Sequence, residues 1–291
     1  VQKTGDRMAE VMEELMARSK QYLETTVAIE ETQYNCSKCR DTGSYLVRKK
    51  NGYYIRGVEV EQDYYVVCEC NMMLKINRLI ESSAITKEFQ KMSLKNFSTD
   101  NVHPKVVEMK SKVKQYYAAF EEIRGFRQNS IMLVGQPGCG KTHLLTAISN
   151  YLIHSNQVPV LYFPYKDGLN KIAANNFERK MEIMTQMKEV VVLFIDDLFK
   201  PIGGKVNVKS WQTEVIFEVV NARYLSNKPL LISSELSLDD MLYIDEALTS
   251  RLFEMTQDFI VTIQKDKKVN YRLRKLFEKN RETPIPLSEG E

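Results

Sequence analysis

Residues Gly135-Gln136-Pro137-Gly138-Cys139-Gly140-Lys141-Thr142 decide how this chain is read. They fit the pattern G-x-x-x-x-G-K-[ST], and the flanks agree with the letters. Before them, Ser130-Ile131-Met132-Leu133-Val134 reads as a short buried strand. After them, Leu144, Leu145, Ala147, Ile148, Tyr151 and Leu152 recur at helical spacing. Strand, glycine loop and helix in that order bring backbone N–H groups and a helix N-terminus to bear on a polyphosphate. The loop residues, with His143 behind them, are therefore the expected nucleotide contacts. Lys141 is expected to reach the β- and γ-phosphates, and the Thr142 hydroxyl to hold Mg²⁺.

Val190-Val191-Val192-Leu193-Phe194-Ile195-Asp196-Asp197 is an apolar strand that ends in two carboxylates. A buried strand delivers its C-terminal residues to the ligand crevice of an open α/β sheet. Asp196 is placed to join the Mg²⁺ shell, and Asp197 to polarise or orient an attacking water. Taken alone, the stretch fits a solvated acidic turn equally well; its position behind the phosphate loop favours the nucleotide. Leu230-Leu231-Ile232-Ser233-Ser234-Glu235 is another apolar strand with a polar end, which puts Ser234 or Glu235 beside the γ-phosphate. In Thr249-Ser250-Arg251-Leu252, the arginine is a candidate to stabilise transition-state charge at a neighbouring subunit.

The spacing predicts five short apolar strands, at 130–134, 158–163, 190–195, 229–234 and 258–263. Helical stretches separate them near 142–154, 167–188, 211–225 and 238–254. Such alternation implies a parallel sheet with helices on both faces. The first half differs. Residues 6–30 carry Met8, Val11, Met12, Leu15, Met16, Leu23 and Val27 at helical spacing, which predicts one amphipathic helix. Three strand-like runs follow, 45–48, 53–55 and 64–67, with Asn51-Gly52 as the expected hairpin turn between the first two. The organisation expected is an N-terminal helix and metal module over 1–70, a connector over 71–100, an ATPase core over 101–264, and a short basic lid and tail over 265–291.

Hydrophobic content of 43% and charged content of 27% exclude a disordered or membrane-embedded chain. No apolar run approaches the length that spans a bilayer, so a cytoplasmic protein is expected. The net charge of +3 hides segregation: residues 71–210 carry 20 Lys/Arg against 12 Asp/Glu, and residues 211–264 carry 3 against 9. That permits a polyanion-binding face without requiring one.

Cys36-Ser37-Lys38-Cys39 and Cys68-Glu69-Cys70 stand either side of the expected hairpin. A C-x-x-C knuckle and a C-x-C pair can converge as four thiolates around tetrahedral Zn²⁺ when strands bring the loops together. Without metal they would be four buried thiols. Residues 31–70 alone are too few to build a stable core, which gives a structural ion a purpose. Cys139, inside the phosphate loop, stands apart from this set.

Phosphate loop, Asp-Asp strand, Ser-Ser-Glu strand and Ser-Arg-Leu, in that order, resemble an AAA+ ATPase core. The chain is most similar to the DnaC/DnaI-type helicase loaders and to their relative IstB, a transposition helper ATPase. The likeness extends over about residues 75–275 and includes Ser82-Ser83-Ala84-Ile85, Phe89, Asn96-Phe97 and Asn221-Ala222-Arg223-Tyr224. It implies an AAA+ P-loop fold with a five-stranded parallel sheet and a shortened C-terminal lid, beside a small zinc-bound N-terminal domain. It also implies ATP or ADP, Mg²⁺ and Zn²⁺ as cofactors. Lys141 and Thr142 take the Walker-A roles, Asp196 and Asp197 the Walker-B roles, Arg251 that of the arginine finger, and Arg272 that of the second sensor. Glu235 stands where the family usually has Asn as first sensor.

In such loaders a zinc-bearing N-terminal domain contacts the replicative helicase, whereas IstB-like proteins lack one. The resemblance therefore implies a bacterial or phage-encoded loader. Its partners would be a hexameric DnaB-type helicase and single-stranded DNA, with self-association through AAA+ interfaces. The alternatives are a transposition helper ATPase, and a zinc adaptor for which ATP is a switching ligand. Candidate DNA contacts are Lys200, Lys205 and Lys209 around Gly203-Gly204, with Phe199 and Trp211 as stacking residues. Lys265, Lys267, Lys268, Arg272, Arg274 and Lys275 form a second basic set.

Overall fold

The computed structural model describes residues 34, 36–100, 102–201, 203 and 206–273. The helix expected over 6–30, Gly204, Lys205, Arg274, Lys275 and the tail from 283 lie outside them. The chain divides into two compact units, Val1–Leu74 and Lys75–Glu291.

In the first unit, β1 (Ser44–Ile55) and β2 (Val58–Val67) form an antiparallel ribbon. The turn expected at Asn51-Gly52 is instead Arg56-Gly57. Both of these residues have positive φ, +50° and +81°, as a two-residue hairpin turn with matching twist requires. Gly52, at φ +78°, lies where the register slips between Lys50 and Tyr54, so it marks an irregularity inside one long strand. The helix α1 (Asn71–Ser82) follows.

The second unit is built on a five-stranded parallel sheet. Its strands are β3 (Ile131–Gly135), β4 (Val160–Pro164), β5 (Val192–Leu198), β6 (Leu230–Ser234) and β7 (Ile260–Ile263), in the order β4-β5-β6-β3-β7. All five expected strands are present. They read as unbroken apolar runs because both faces are covered. Alternation along β3 shows how. Ile131 and Leu133 pack with α2 (Pro104–Ile123) and α3 (Lys141–Asn156), while Met132 and Val134 face the opposite layer. That layer is α4 (Tyr165–Ala174), α5 (Phe177–Glu189), α6 (Ser210–Leu225), α7 (Leu238–Ile244) and α8 (Glu246–Thr256).

Two helices expected as single stretches are each broken in two. Asn176 caps α5 by accepting from the Arg179 N–H, and Asp245 caps α8 by accepting from the Leu248 N–H. Each short polar side chain stabilises a new N-terminus more than it would a continuous helix. Arg223, wholly buried, donates to the carbonyls of Met187, Lys188, Val190, Val191 and Pro229. It thereby ties α6 to the end of α5 and to the entries of β5 and β6. No helix among the described residues is long and apolar enough to cross a membrane.

Candidate functional site

The chain leaves β3 at its C-terminal edge, where β3 connects through α3 to β4 at the far side of the sheet. A ligand crevice is expected at such a switch point. Gly135–Thr142 wraps this edge. Gly138 and Gly140 have φ of +80° and +95°, and a Cβ on either would strike a neighbour: the Asn270 amide at 2.3 Å or the Phe97 ring at 2.4 Å. Glycine is thus required here both for the left-handed turn and for close packing. Gly140 caps α3, whose first turn opens into a cavity of about 540 Å³.

That cavity is lined by Pro137 through His143, Asp196, Asp197, Lys200 and Glu235. Phe89, Met92, Phe97, Val102 and Val106 line it too, as do Lys268, Val269, Tyr271 and Arg272. Lys141 is buried and its ammonium donates to the Gly135 and Gln136 carbonyls, at 2.6 and 3.0 Å. Thr142 Oγ1 donates to Asp196 Oδ1 at 2.8 Å.

Asp196 is buried and accepts two further hydroxyls, Ser233 Oγ at 2.5 Å and Tyr162 OH at 3.0 Å. Burial raises its pKa, and the hydrogen bond from Ser233 opposes that shift. Burial, with the charge of Asp196 beside it, also raises the pKa of Tyr162, which keeps the phenol protonated as a donor. Among the described residues no ammonium or guanidinium forms an ion pair with Asp196. A buried carboxylate with hydroxyl neighbours and no cationic partner suits a hard divalent cation. Thr142 and Asp196 are the residues that would hold it.

Two expectations at this edge need correction. Ser234 Oγ donates to the Leu198 carbonyl, inside the sheet. It is Ser233 that faces Asp196, and its Oγ also accepts from the Asp197 N–H at 2.7 Å. The strand run alone leaves open which of two adjacent serines faces the site; the pairing of Leu133 with Ser233 fixes it. Phe199 is fully buried against Tyr165, at 5.6 Å between ring centroids, so it offers no surface for base stacking. Trp211 is half-buried and packs on the core.

Asp197 and Phe199 both adopt left-handed backbone, φ +57° and +55°. This costs about 1–2 kcal/mol at each non-glycine residue. Buried Phe199 anchors the turn, and Lys200 emerges from it to pair with Asp197 Oδ2 and to lie 4.0 Å from Glu235 Oε1. Burial opposes the Lys200 charge, but these carboxylates outweigh it and raise its pKa.

The remaining candidate residues hold the rim. Gln136 exchanges two hydrogen bonds with the Asp266 backbone, at 2.7 and 2.8 Å, and the Tyr271 N–H donates to Gly138 O at 3.0 Å. Residues 266–271 are thereby folded against the phosphate loop, and the exposed Arg272 sits at the cavity edge. His143 Nε2 lies 3.1 Å from Ser93 O and 3.0 Å from Asn96 Oδ1. Both partners are acceptors, which assigns the proton to Nε2 and ties the 93–97 segment to α3. Arg251 is not a lining residue of its own chain's cavity. Its guanidinium donates to Asn221 Oδ1 at 3.0 Å and to Ala247 O at 2.6 Å, and it stacks over Phe217 and Tyr224.

In the first unit Cys36, Cys39, Cys68 and Cys70 bring their sulfurs within 4.8 Å of one another. Cys36 and Cys68 are 3.7 Å apart, Cys39 and Cys70 3.2 Å. Sulfurs at about 2.3 Å from a tetrahedral zinc would stand about 3.8 Å from each other. The Cys39 backbone N–H and then the Cys70 thiol lower the Cys36 thiol to about 7, while hydrogen bonding within the cluster, first to Cys39, raises that of Cys70. The four residues fit a structural zinc ion and would hold it.

The family model of the bacterial DnaA ATPase domain matches residues 97–274. YqaM of Bacillus subtilis (strain 168) is 41% identical over 297 residues, covering 90% of this chain and 94% of that protein. The phage-like element PBSX protein XkdC of the same organism is 41% identical over 233 residues, 80% of this chain and 84% of that one. Among solved structures, DnaI superposes with a TM-score of 0.51 at 20% identity, covering 64% of this chain and 94% of its own. The DnaC helicase loader gives 0.50 at 20% identity, covering 61% and 99%. At such identities the likeness is one of fold.

Proposed function

This chain belongs to the family of the bacterial DnaA ATPase domain, and we propose that it is an ATP-hydrolysing loader of a hexameric replicative helicase. In this reading the ATPase unit binds ATP and single-stranded DNA, and the cysteine-clustered N-terminal unit contacts a DnaB-type helicase. Residues 1–70 form the contact module, 71–100 the connector, 101–264 the ATPase and 265–291 the lid. The observation that carries the nucleotide reading is the meeting of phosphate loop and acid strand, with Thr142 Oγ1 2.8 Å from buried Asp196. The fold shared with a protein described as a helicase loader, and kinship with a phage-element protein, support the replication role.

A divalent cation held by Thr142 and Asp196 would offset charge on the β- and γ-phosphates. The chain's own residues do the rest. Lys141 exchanges the Gly135 and Gln136 carbonyls for phosphate oxygens. Asp197 orients the attacking water, and Arg251 acts on the γ-phosphate of a neighbouring copy, since it lies away from its own cavity. The reading of ATP as a switching ligand, with little turnover, is favoured by one observation: Asp197 is engaged by Lys200.

The test is reconstitution. Full-length protein is mixed with a DnaB-type hexamer, single-stranded DNA and ATP, and helicase transfer to the strand is measured. ATP-dependent transfer is the expected result. Binding to a transposase and duplex DNA instead, with no helicase contact, would favour the transposition helper.

A further inference from the structure

Three carboxylates crowd one end of the nucleotide cavity: Asp196, Asp197 and Glu235. A terminal phosphate entering there meets like charge, and Glu235 aggravates it by standing where the resemblance leads one to expect a neutral amide. Lys200 is the cation placed among them. It pairs with Asp197 and lies 4.0 Å from Glu235 Oε1, while the Lys141 ammonium is held by the Gly135 and Gln136 carbonyls. The base of Lys200 is fixed, because Phe199 is buried in the core and the Lys200 N–H donates to Asp197 O at 3.0 Å. Its side chain is 42% exposed, so the ammonium can move while its backbone stays.

We propose that Lys200 is the residue that senses the terminal phosphate, moving from Asp197 to the γ-phosphate oxygens while still neutralising Glu235. The inference rests on the nucleotide reading above. With a diphosphate, Lys200 holds Asp197 and denies it to water. With a triphosphate, Lys200 leaves, and Asp197 is released to accept a hydrogen bond from the attacking water. That water's oxygen bonds to the γ-phosphorus as the bond to the ADP oxygen breaks, and its proton passes to Asp197 and on to solvent. Lys200 forms no covalent bond. Lys200 and Glu235 thus act together in place of a neutral first sensor.

The test is equilibrium titration of the full chain with Mg-ADP and with a non-hydrolysable Mg-ATP analogue. Wild type is compared with Lys200→Ala, Glu235→Gln and the double variant, each checked for an unchanged melting profile. Lys200→Ala should weaken the analogue by about tenfold or more while ADP shifts by less than about twofold. The double variant should regain part of the lost analogue affinity, because the uncompensated carboxylate is gone. Equal weakening of both nucleotides, no weakening of either, or a double variant as weak as Lys200→Ala would each overturn the proposal. Wild-type protein that binds neither nucleotide would overturn the nucleotide reading itself, and this inference with it.

Discussion

Residues 75–273 bury two apolar layers on either side of a parallel sheet, whereas residues 34–74 carry a two-stranded ribbon with Tyr53, Tyr54, Ile55, Val58 and Tyr65 all well exposed. In the ATPase unit, packing positions the chemistry: β3, β5 and β6 are wholly or nearly buried, the loop after β3 leads to Lys141 at the start of α3, and the ends of β5 and β6 carry Asp196 and Ser233. The ribbon has no such core. The buried cysteines Cys39 and Cys68 belong to the sulfur cluster, so the buried side chains at the base of the ribbon are candidate metal ligands. One unit is therefore stabilised by area removed from water, while the other gathers four thiols that fit an ion.

The sharpest way to break that contrast is to remove one of the four thiols. Structural zinc contributes about 10–16 kcal/mol to folding in small zinc modules. Cys68→Ser should reduce zinc from about one ion per chain to near none. Residues 34–74 should then become sensitive to limited proteolysis, while nucleotide affinity is kept. Elemental analysis and proteolysis with nucleotide titration check this; a protease-resistant ribbon without metal would contradict it.

The converse change should spare the metal and weaken the core. Phe194 is fully buried, with its ring 5.1 Å from that of Tyr162, so Phe194→Ala should cost about 3–5 kcal/mol. Trp211 is the single tryptophan and lies in the ATPase unit, so denaturant titration followed by its fluorescence reports that unit alone. Zinc content should not change. Arg223→Met tests the polar counterpart. Losing a buried guanidinium that serves five carbonyls should cost about 3 kcal/mol in the same titration.

Much of this contrast was legible in the residues. Unbroken apolar runs such as Val191–Ile195 identify strands covered on both faces, and the paired cysteines identify the cluster. What escaped depends on register and tertiary partners. Ser233 and Ser234 are equivalent by pattern, and only pairing with β3 turns the first toward Asp196. Tyr162 reads as an ordinary strand tyrosine, because its hydrogen bond to Asp196 spans two strands. Asn51-Gly52 is the stronger turn signal by composition, yet Arg56-Gly57 makes the turn, since Tyr53-Tyr54-Ile55 continue the strand. Phe199 looks available to a base until its left-handed turn drives it into the core. Lys200 reads in the sequence as a candidate DNA contact, and its ion pairs with Asp197 and Glu235 appear only in the structure.

A smaller effect on stability with a larger one on binding is expected at Gly140→Ala. The backbone is left-handed and the Phe97 ring lies 2.4 Å from the new carbon. The strain should cost about 1–2 kcal/mol in a thermal melt. Nucleotide affinity should fall by at least about tenfold as the loop shifts. Arg251→Ala should cost the least stability and leave ATP binding unchanged, yet lower turnover. Mixed with Lys141→Ala, it should regain activity, because each variant supplies what the other lacks. Absence of rescue in assemblies confirmed by sedimentation would confine Arg251 to its own chain.

The central claim is that the pocket between the phosphate loop and Asp196 binds and hydrolyses ATP. Steady-state phosphate release by the full chain, with helicase and single-stranded DNA present, tests it most directly when wild type and Lys141→Ala are compared. The account predicts Mg²⁺-dependent turnover by wild type and its loss in Lys141→Ala, with an unchanged melting profile. Equal turnover by the two proteins would contradict it.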